Sequence, residues 1–342
     1  MGCCNRGFPS GLLRLTGPQG IEAVCSCEVE PMVVVEGLTK FFGSRSAVLN
    51  ASFRIQKGEI IGLLGLNGSG KTTVLRMLAG NLLPTSGTVR IQDRDLYEDP
   101  RRVKRSIGFL PETPPLYGEM TVGSYLRFVG ELKGLSRKAS LRRLNVVAAE
   151  VGIEEVRDEI IDHLSFGYRQ RVGIAHALIH DPELLLLDEP AAGLDPVQIV
   201  EMRRFIRGLR GARTVILSSH FLSEISQICD RILVIQEGRI VAEGPEEELA
   251  RKLSPGLRVR LQVRGRRQRV LECLEGVTGI DGIECTKEEA DRTTFLLSLS
   301  QDIRERVSAL LVERRIGLLE ITRVDLELEN VFLELMEKRG TA

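Results

Sequence analysis

Residues 65 to 72 read Gly65-Leu66-Asn67-Gly68-Ser69-Gly70-Lys71-Thr72 and are followed by Thr73, fitting the pattern G-x-x-x-x-G-K-[ST]. A triphosphate needs several backbone N–H donors packed around it, and glycines permit this because no side chain holds the anion away. An apolar run, Glu59 to Leu64, precedes the loop and helical spacing follows it, so the positive end of a helix adds to the same anion site. In such a loop Lys71 would reach the β and γ phosphates of ATP, and Thr72 would offer its hydroxyl to Mg²⁺.

A second constellation lies at Leu184-Leu185-Leu186-Leu187-Asp188-Glu189-Pro190, an apolar strand ending in two carboxylates. Asp188 at the strand tip suits a Mg²⁺ contact, and Glu189 suits polarising an attacking water. Acidic residues after a strand are often only solvated loop charge, but the loop at 65 to 72 gives this pair something to act on.

Elements able to hold these residues in place are visible in the patterning. Met32 to Glu36, Ala51 to Ile55 and Glu59 to Leu64 read as successive strands, and Val74 to Ala79 as part of the helix that follows the loop. Strand character is lost from about 113 to 163, where Tyr125-Leu126-Phe128-Val129 and Leu144-Val147-Val151 carry helical spacing. It returns at Leu184 to Leu187 and Thr214 to Leu217, the βαβ rhythm of a buried parallel sheet. Beyond Leu253 the order changes to strand 257–263, helix 268–277, strands 282–287 and 293–298, helix 303–314, strand 318–324 and a closing helix 329–338. That order is what a ferredoxin-like domain shows. The expected fold is thus α/β, an ATPase core over 32–250 with a helical subdomain at about 113–180, plus a small C-terminal α+β domain over 255–342. Residues 1–31 lack periodicity, and patterned sequence begins at Met32; they are expected to be a disordered head or an upstream extension before the true start.

Composition narrows the function classes. The chain has 342 residues, 43% hydrophobic and 27% charged, with Lys plus Arg equal to Asp plus Glu at 47 each. Zero net charge gives no sign of a nucleic-acid partner. No apolar run approaches the roughly 18 residues that a membrane span needs, so a membrane role would come from a partner. Seven scattered cysteines fit a reduced, cytoplasmic protein, and Cys25 with Cys27 has neither the spacing nor the second pair of a zinc site.

One family is resembled closely. Leu164-Ser165-Phe166-Gly167-Tyr168-Arg169-Gln170-Arg171, just ahead of the strand that ends in Asp188, looks like the signature segment of ABC ATPases. Phe42 stands where that family has its adenine-stacking aromatic, Ala192-Gly193-Leu194-Asp195 where it has its D-loop, and His220, after Ser218-Ser219, where it has its switch histidine. The resemblance covers about residues 32 to 250. It implies an ATPase working as a head-to-tail dimer, each ATP lying between one subunit's glycine loop and the other's Ser165 and Gly167, with Lys71, Glu189 and His220 serving hydrolysis. It also implies an integral membrane permease as partner and a place on the inner face of the cell membrane. The Tyr168 form, the single cassette and the ending Leu328 to Leu333 resemble most the ABC-2 type exporters. The alternative is a soluble ABC ATPase acting on ribosomes or nucleic acid, whose members usually carry two cassettes or long coiled coils that this chain lacks. Three departures stand out: Leu66 for the usual Pro, Phe42 for the commoner Tyr, and Glu112 where most relatives have a Gln that senses Mg²⁺ and faces the permease.

Overall fold

The computed structural model describes residues 31–253, 257–265, 267–289 and 291–324. The expected head, apart from Pro31, and the closing helix with Leu328 to Leu333 lie outside these residues. Strands β1 (Pro31–Phe42) and β2 (Arg45–Gln56) form a hairpin ahead of β3 (Ile60–Leu64) and α1 (Lys71–Leu78). There follow β4 (Ser86–Ile91), β5 (Arg94–Asp95), α2 (Pro100–Val103) and β6 (Ile107–Leu110). Three helices, α3 (Val122–Leu132), α4 (Arg137–Val151) and α5 (Phe166–Leu178), precede β7 (Leu184–Asp188) and α6 (Pro196–Gly208). The core then closes with β8 (Thr214–Ser219), α7 (Leu222–Ile225), β9 (Arg231–Gln236), β10 (Arg239–Gly244) and α8 (Glu246–Leu253).

Six strands form one sheet in the order β10-β9-β3-β8-β7-β6, parallel except for β10, and β2-β1-β4-β5 form an antiparallel sheet beside it. The apolar runs follow from burial on both faces. In β7, Leu184 and Leu186 enter the core shared with α1 and the antiparallel sheet, while Leu185 and Leu187 enter the core shared with α3, α4 and α5. β3 divides in the same way, Ile61 and Leu63 to the first core and Ile60 and Leu64 to the second. The three inserted helices begin at side-chain caps. Thr121, Ser136 and Ser165 each accept a hydrogen bond from a backbone N–H three residues on, satisfying a donor the helix leaves unpaired.

β11 (Leu257–Arg264), α9 (Arg267–Leu274), β12 (Ile280–Glu288), β13 (Thr293–Leu299), α10 (Arg304–Glu313) and β14 (Gly317–Val324) make a third sheet of order β12-β13-β11-β14. Every neighbouring pair in it is antiparallel, which is the split βαβ arrangement of a ferredoxin-like sheet. Val259, Leu261, Val263, Phe295, Leu297 and Leu299 point to one face and pack with Val270, Leu274, Val307 and Leu311 of α9 and α10. Helix α9 stops at Leu274, short of the expected Val277, because the chain turns at Gly276 with φ 79°.

Two histidines sit in the seam between β6 and the inserted helices. The Tyr125 hydroxyl shares a 2.7 Å hydrogen bond with His176 Nδ1, and His180 Nε2 lies 2.9 Å from the Ile107 carbonyl, to which it donates. Burial first, then the nearby Lys133 ammonium, pushes both imidazoles down to about 4; Arg143 adds to the effect on His180. A base depressed in the fold is protonated earlier when unfolded, so folding stability is lost as pH falls from about 6.5 towards 4. The melting temperature should therefore drop across that window, and His180→Gln, which keeps a donor for Ile107, should flatten the drop.

Candidate functional site

The glycine loop is held between two rigid neighbours. β3 is buried at all five residues and pairs with β8 on one side and β9 on the other, so its end is fixed where the loop begins. Gly70 adopts φ 112°, and a Cβ there would fall 2.5 Å from the Ala47 carbonyl oxygen, so only glycine fits. Lys71, the first residue of α1, is 5% accessible although charged. Its Nζ donates to the carbonyls of Gly65 at 2.8 Å and Leu66 at 3.3 Å and pairs with Glu189 Oε1 at 3.3 Å.

The parallel register sets Asp188 of β7 opposite Ser218 of β8. Asp188 Oδ1 accepts from Ser218 Oγ at 2.7 Å and from Thr72 Oγ1 at 3.1 Å, which ties the glycine-loop helix to the acidic strand end. Ser218 Oγ also accepts from the Glu189 N–H at 2.9 Å. Asp188 Oδ2 is buried with no hydrogen-bond partner. Burial raises this carboxyl above the ordinary aspartate value; the two hydroxyls oppose the rise, and the charges of Glu189 and Glu112 add to it. An unsatisfied carboxylate oxygen beside a threonine hydroxyl is a donor set for a small hard cation, which usually takes one or two protein oxygens and completes its shell with phosphate and water. Among the described residues no group of three or more His, Cys, Asp and Glu is gathered as a metal cluster.

Glu189 sits in left-handed backbone, φ 48°, a strained conformation for a residue with a side chain. Its carboxylate is bracketed by two cationic or proton-bearing groups, Lys71 at Oε1 and His220 Nδ1 at 2.9 Å from Oε2. A general base needs an oriented carboxylate at the edge of an accessible cavity, and Glu189 lines a cleft of about 520 Å³.

That cleft gathers most of the residues singled out in the sequence. Phe42, Asn67, Gly68, Gly70, Lys71, Thr72, Thr73, Glu112, Glu189 and His220 line it, with Gly65, Ser69 and Asp188 not among the lining residues. Phe42 is half exposed, and the Lys40 ammonium stands 5.2 Å from its ring centre. Ser165, Gly167 and Asp195 do not line the cleft. Ser165 caps α5 by accepting from Tyr168 N–H at 3.4 Å, Gly167 packs against the Gln198 amide, and Asp195 caps α6 by accepting from Val197 and Gln198 N–H at 3.0 and 2.9 Å. Three residues had no predicted role. Arg45 and Ala47 line the cleft, and Ser218 anchors Asp188. Ser218 had a signal, a hydroxyl ending an apolar strand beside His220; Arg45 is placed by hairpin register alone.

Residues 48–192 match the family model described as ABC transporter. The chain is 34% identical over 301 residues to the bacitracin transport ATP-binding protein BcrA of Bacillus licheniformis, covering 87% of this chain and 95% of that protein. It is 31% identical over 313 residues to the linearmycin resistance ATP-binding protein LnrL of Bacillus subtilis (strain 168), covering 89% and 98%. A solved ATP-binding subunit of an ABC transporter superposes with a TM-score of 0.59 at 30% identity, covering 65% of this chain and 92% of that one.

Proposed function

Since the chain belongs to the ATP-binding subunits of ABC transporters, which bind and hydrolyse ATP, we propose that it energises a separate membrane permease of the ABC-2 export type. The observation that carries this reading is the bracketed Glu189, with Lys71 on one carboxylate oxygen, His220 on the other and the glycine loop beside it. The match to BcrA and LnrL over nearly their whole length, C-terminal region included, supports the export branch. Among the described residues no helix is long and apolar enough to cross a membrane, and the proposal assigns the span to the partner on whose cytoplasmic side this subunit works.

In this reading ATP lies along the loop, its adenine against Phe42 and its phosphates on the N–H groups of residues 67 to 73. Lys71 exchanges its bond to Glu189 for the β and γ phosphates, which frees the Glu189 carboxylate to take a proton from the attacking water. His220 holds Glu189 and the terminal phosphate in register. Mg²⁺ would be held by Thr72 and Asp188, with Glu112 near, and would offset the charge of the phosphates; Asp188 Oδ2 supplies the oxygen that needs a partner. Ser165, Gly167 and Asp195 lie away from this cleft because they serve the nucleotide of a second copy, the two cassettes closing head to tail. Extraction in mild detergent tests the partner: the tagged chain should bring down an integral membrane protein, and recovery with ribosomes or nucleic acid instead would contradict the reading.

Glu112 adds a carboxylate to a cleft lined by Glu189, and the charges of both act on Asp188. Crowded like charges raise the cost of keeping all three ionised, and bound Mg²⁺ offsets it. Glu112→Gln should keep hydrolysis while lowering the Mg²⁺ needed for half-maximal activity, and Glu112→Ala should weaken hydrolysis. Mg²⁺ titrations of the ATPase rate check this; three superimposable curves would remove Glu112 from the metal's surroundings.

A further inference from the structure

Arg45 is the cation of the cleft that the reading above leaves without a task. It is the cross-strand partner of Phe42, the two residues closing the turn Gly43-Ser44 at the tip of the β1–β2 hairpin. Directly opposed residues of an antiparallel pair project to the same face with their Cβ atoms about 5 Å apart. Phe42 and Arg45 accordingly line the cleft together, and the Arg45 guanidinium reaches across it, its Nη2 lying 4.0 Å from the place a Cβ would take at Gly68. One wall of the cleft is thus the glycine loop, and facing it stands an arginine.

The other charges around the cleft explain what Arg45 could engage. Lys71 is already bound by two carbonyls and by Glu189, and the charges of Glu189 and Glu112 both act on Asp188. Arg45 is exposed, and among the described residues its guanidinium has no carboxylate within ion-pair reach and no hydrogen bond. A planar guanidinium with five donors matches phosphate oxygens geometrically as well as electrostatically. We propose that Arg45 is a phosphate-binding residue, clamping the polyphosphate of the nucleotide against the glycine loop while its hairpin neighbour Phe42 holds the base. The proposal rests on the nucleotide reading of the cleft and adds to it a second positive contact, from the opposite wall.

Competition against a fluorescent ATP analogue, with the full chain, measures ATP, ADP and adenosine affinities for wild type, Arg45→Ala, Arg45→Lys and Lys71→Ala. Arg45→Ala should weaken ATP and ADP about 5- to 30-fold, the range for a charge-assisted hydrogen bond lost at an accessible site, and leave adenosine within about twofold. Arg45→Lys should recover part of the loss, and the gap between wild type and Arg45→Ala should narrow in about 1 M salt as screening removes the ionic share. Unchanged ADP affinity in Arg45→Ala, while Lys71→Ala binds ADP poorly, overturns the role of Arg45 alone. An equal loss for adenosine also overturns it, since Arg45 would then be shaping the base site. ADP binding that survives Lys71→Ala removes the nucleotide reading itself, and the proposal with it.

Discussion

Glu189→Gln should lower ATP turnover by about two to four orders of magnitude while nucleotide binding persists, the loss typical of removing one positioned general base. The amide has the carboxylate's shape, so the left-handed backbone at this position and the Ser218 contact to its N–H are kept. It cannot take a proton from water, and it no longer holds Lys71 as an ion pair. Lys71 is then freer to meet the phosphates, and ATP should bind at least as tightly as to the wild type. Steady-state phosphate release together with nucleotide affinity gives both numbers. A variant that keeps more than about a tenth of the wild-type rate would place the base elsewhere.

Asp188→Asn should separate stability from activity. In the absence of metal and nucleotide, Asp188 is a buried carboxylate with one oxygen unpartnered, raised above its ordinary value chiefly by burial. An acid whose value is raised in the fold binds its proton more tightly there than in the unfolded chain, so it contributes stability at low pH that is lost as pH rises above about 3.8 through the folded value. At neutral pH the ionised group is a cost, and a neutral amide carries less of it because no charge is desolvated. Ser218 and Thr72 can still donate to the Asn oxygen. The nucleotide-free variant, kept in chelator, should therefore melt at or above the wild-type temperature, while its Mg²⁺-dependent hydrolysis falls by about a hundredfold or more. Scanning calorimetry beside a rate assay checks the pair, and a variant that melts several degrees lower would show Asp188 to be mainly structural.

The sequence made some of this arrangement legible and hid the rest, for physical reasons that differ by residue. Leu184 to Leu187 announced itself because a strand covered on both faces carries no polar alternation, and the glycine loop because anion binding by backbone leaves little choice of residue. The C-terminal sheet was readable from Val259, Leu261 and Val263, whose period of two is undiluted. β4, β5, β6, β9 and β10 were missed: β5 and β6 are short and marginal, and in β4, β5 and β10 residues such as Arg90, Arg94 and Glu243 blur the period, whereas β9, buried at Ile232 to Ile235, was simply not read. Helix α9 was drawn too long because Leu274 and Val277 share helical spacing across a turn that only the backbone angle at Gly276 reveals. Within the site, Lys71, Asp188, Glu189 and His220 lie up to 149 positions apart in sequence; the first three were found from their own local context and His220 through the family resemblance. Arg45 was not, because its place depends on which residue of β1 it opposes, and register is a property of two strands rather than of one. Ser218 was seen as a neighbour of His220 but not as the hydroxyl that binds Asp188, since that contact follows from the pairing of β7 with β8.

The cleft is proposed here as half of an ATP site, with a second copy supplying Ser165 and Gly167 to the other half. Gel filtration of purified Glu189→Gln with and without Mg-ATP tests it most directly, because ATP stays intact in that variant. The protein should be a monomer without nucleotide and a dimer with it, and should return to monomer when Ser165→Arg, which blocks the segment without touching the cleft, is added to the same chain. Glu189→Gln that remains monomeric at high protein concentration, with ATP measured in the eluted peak, would contradict it.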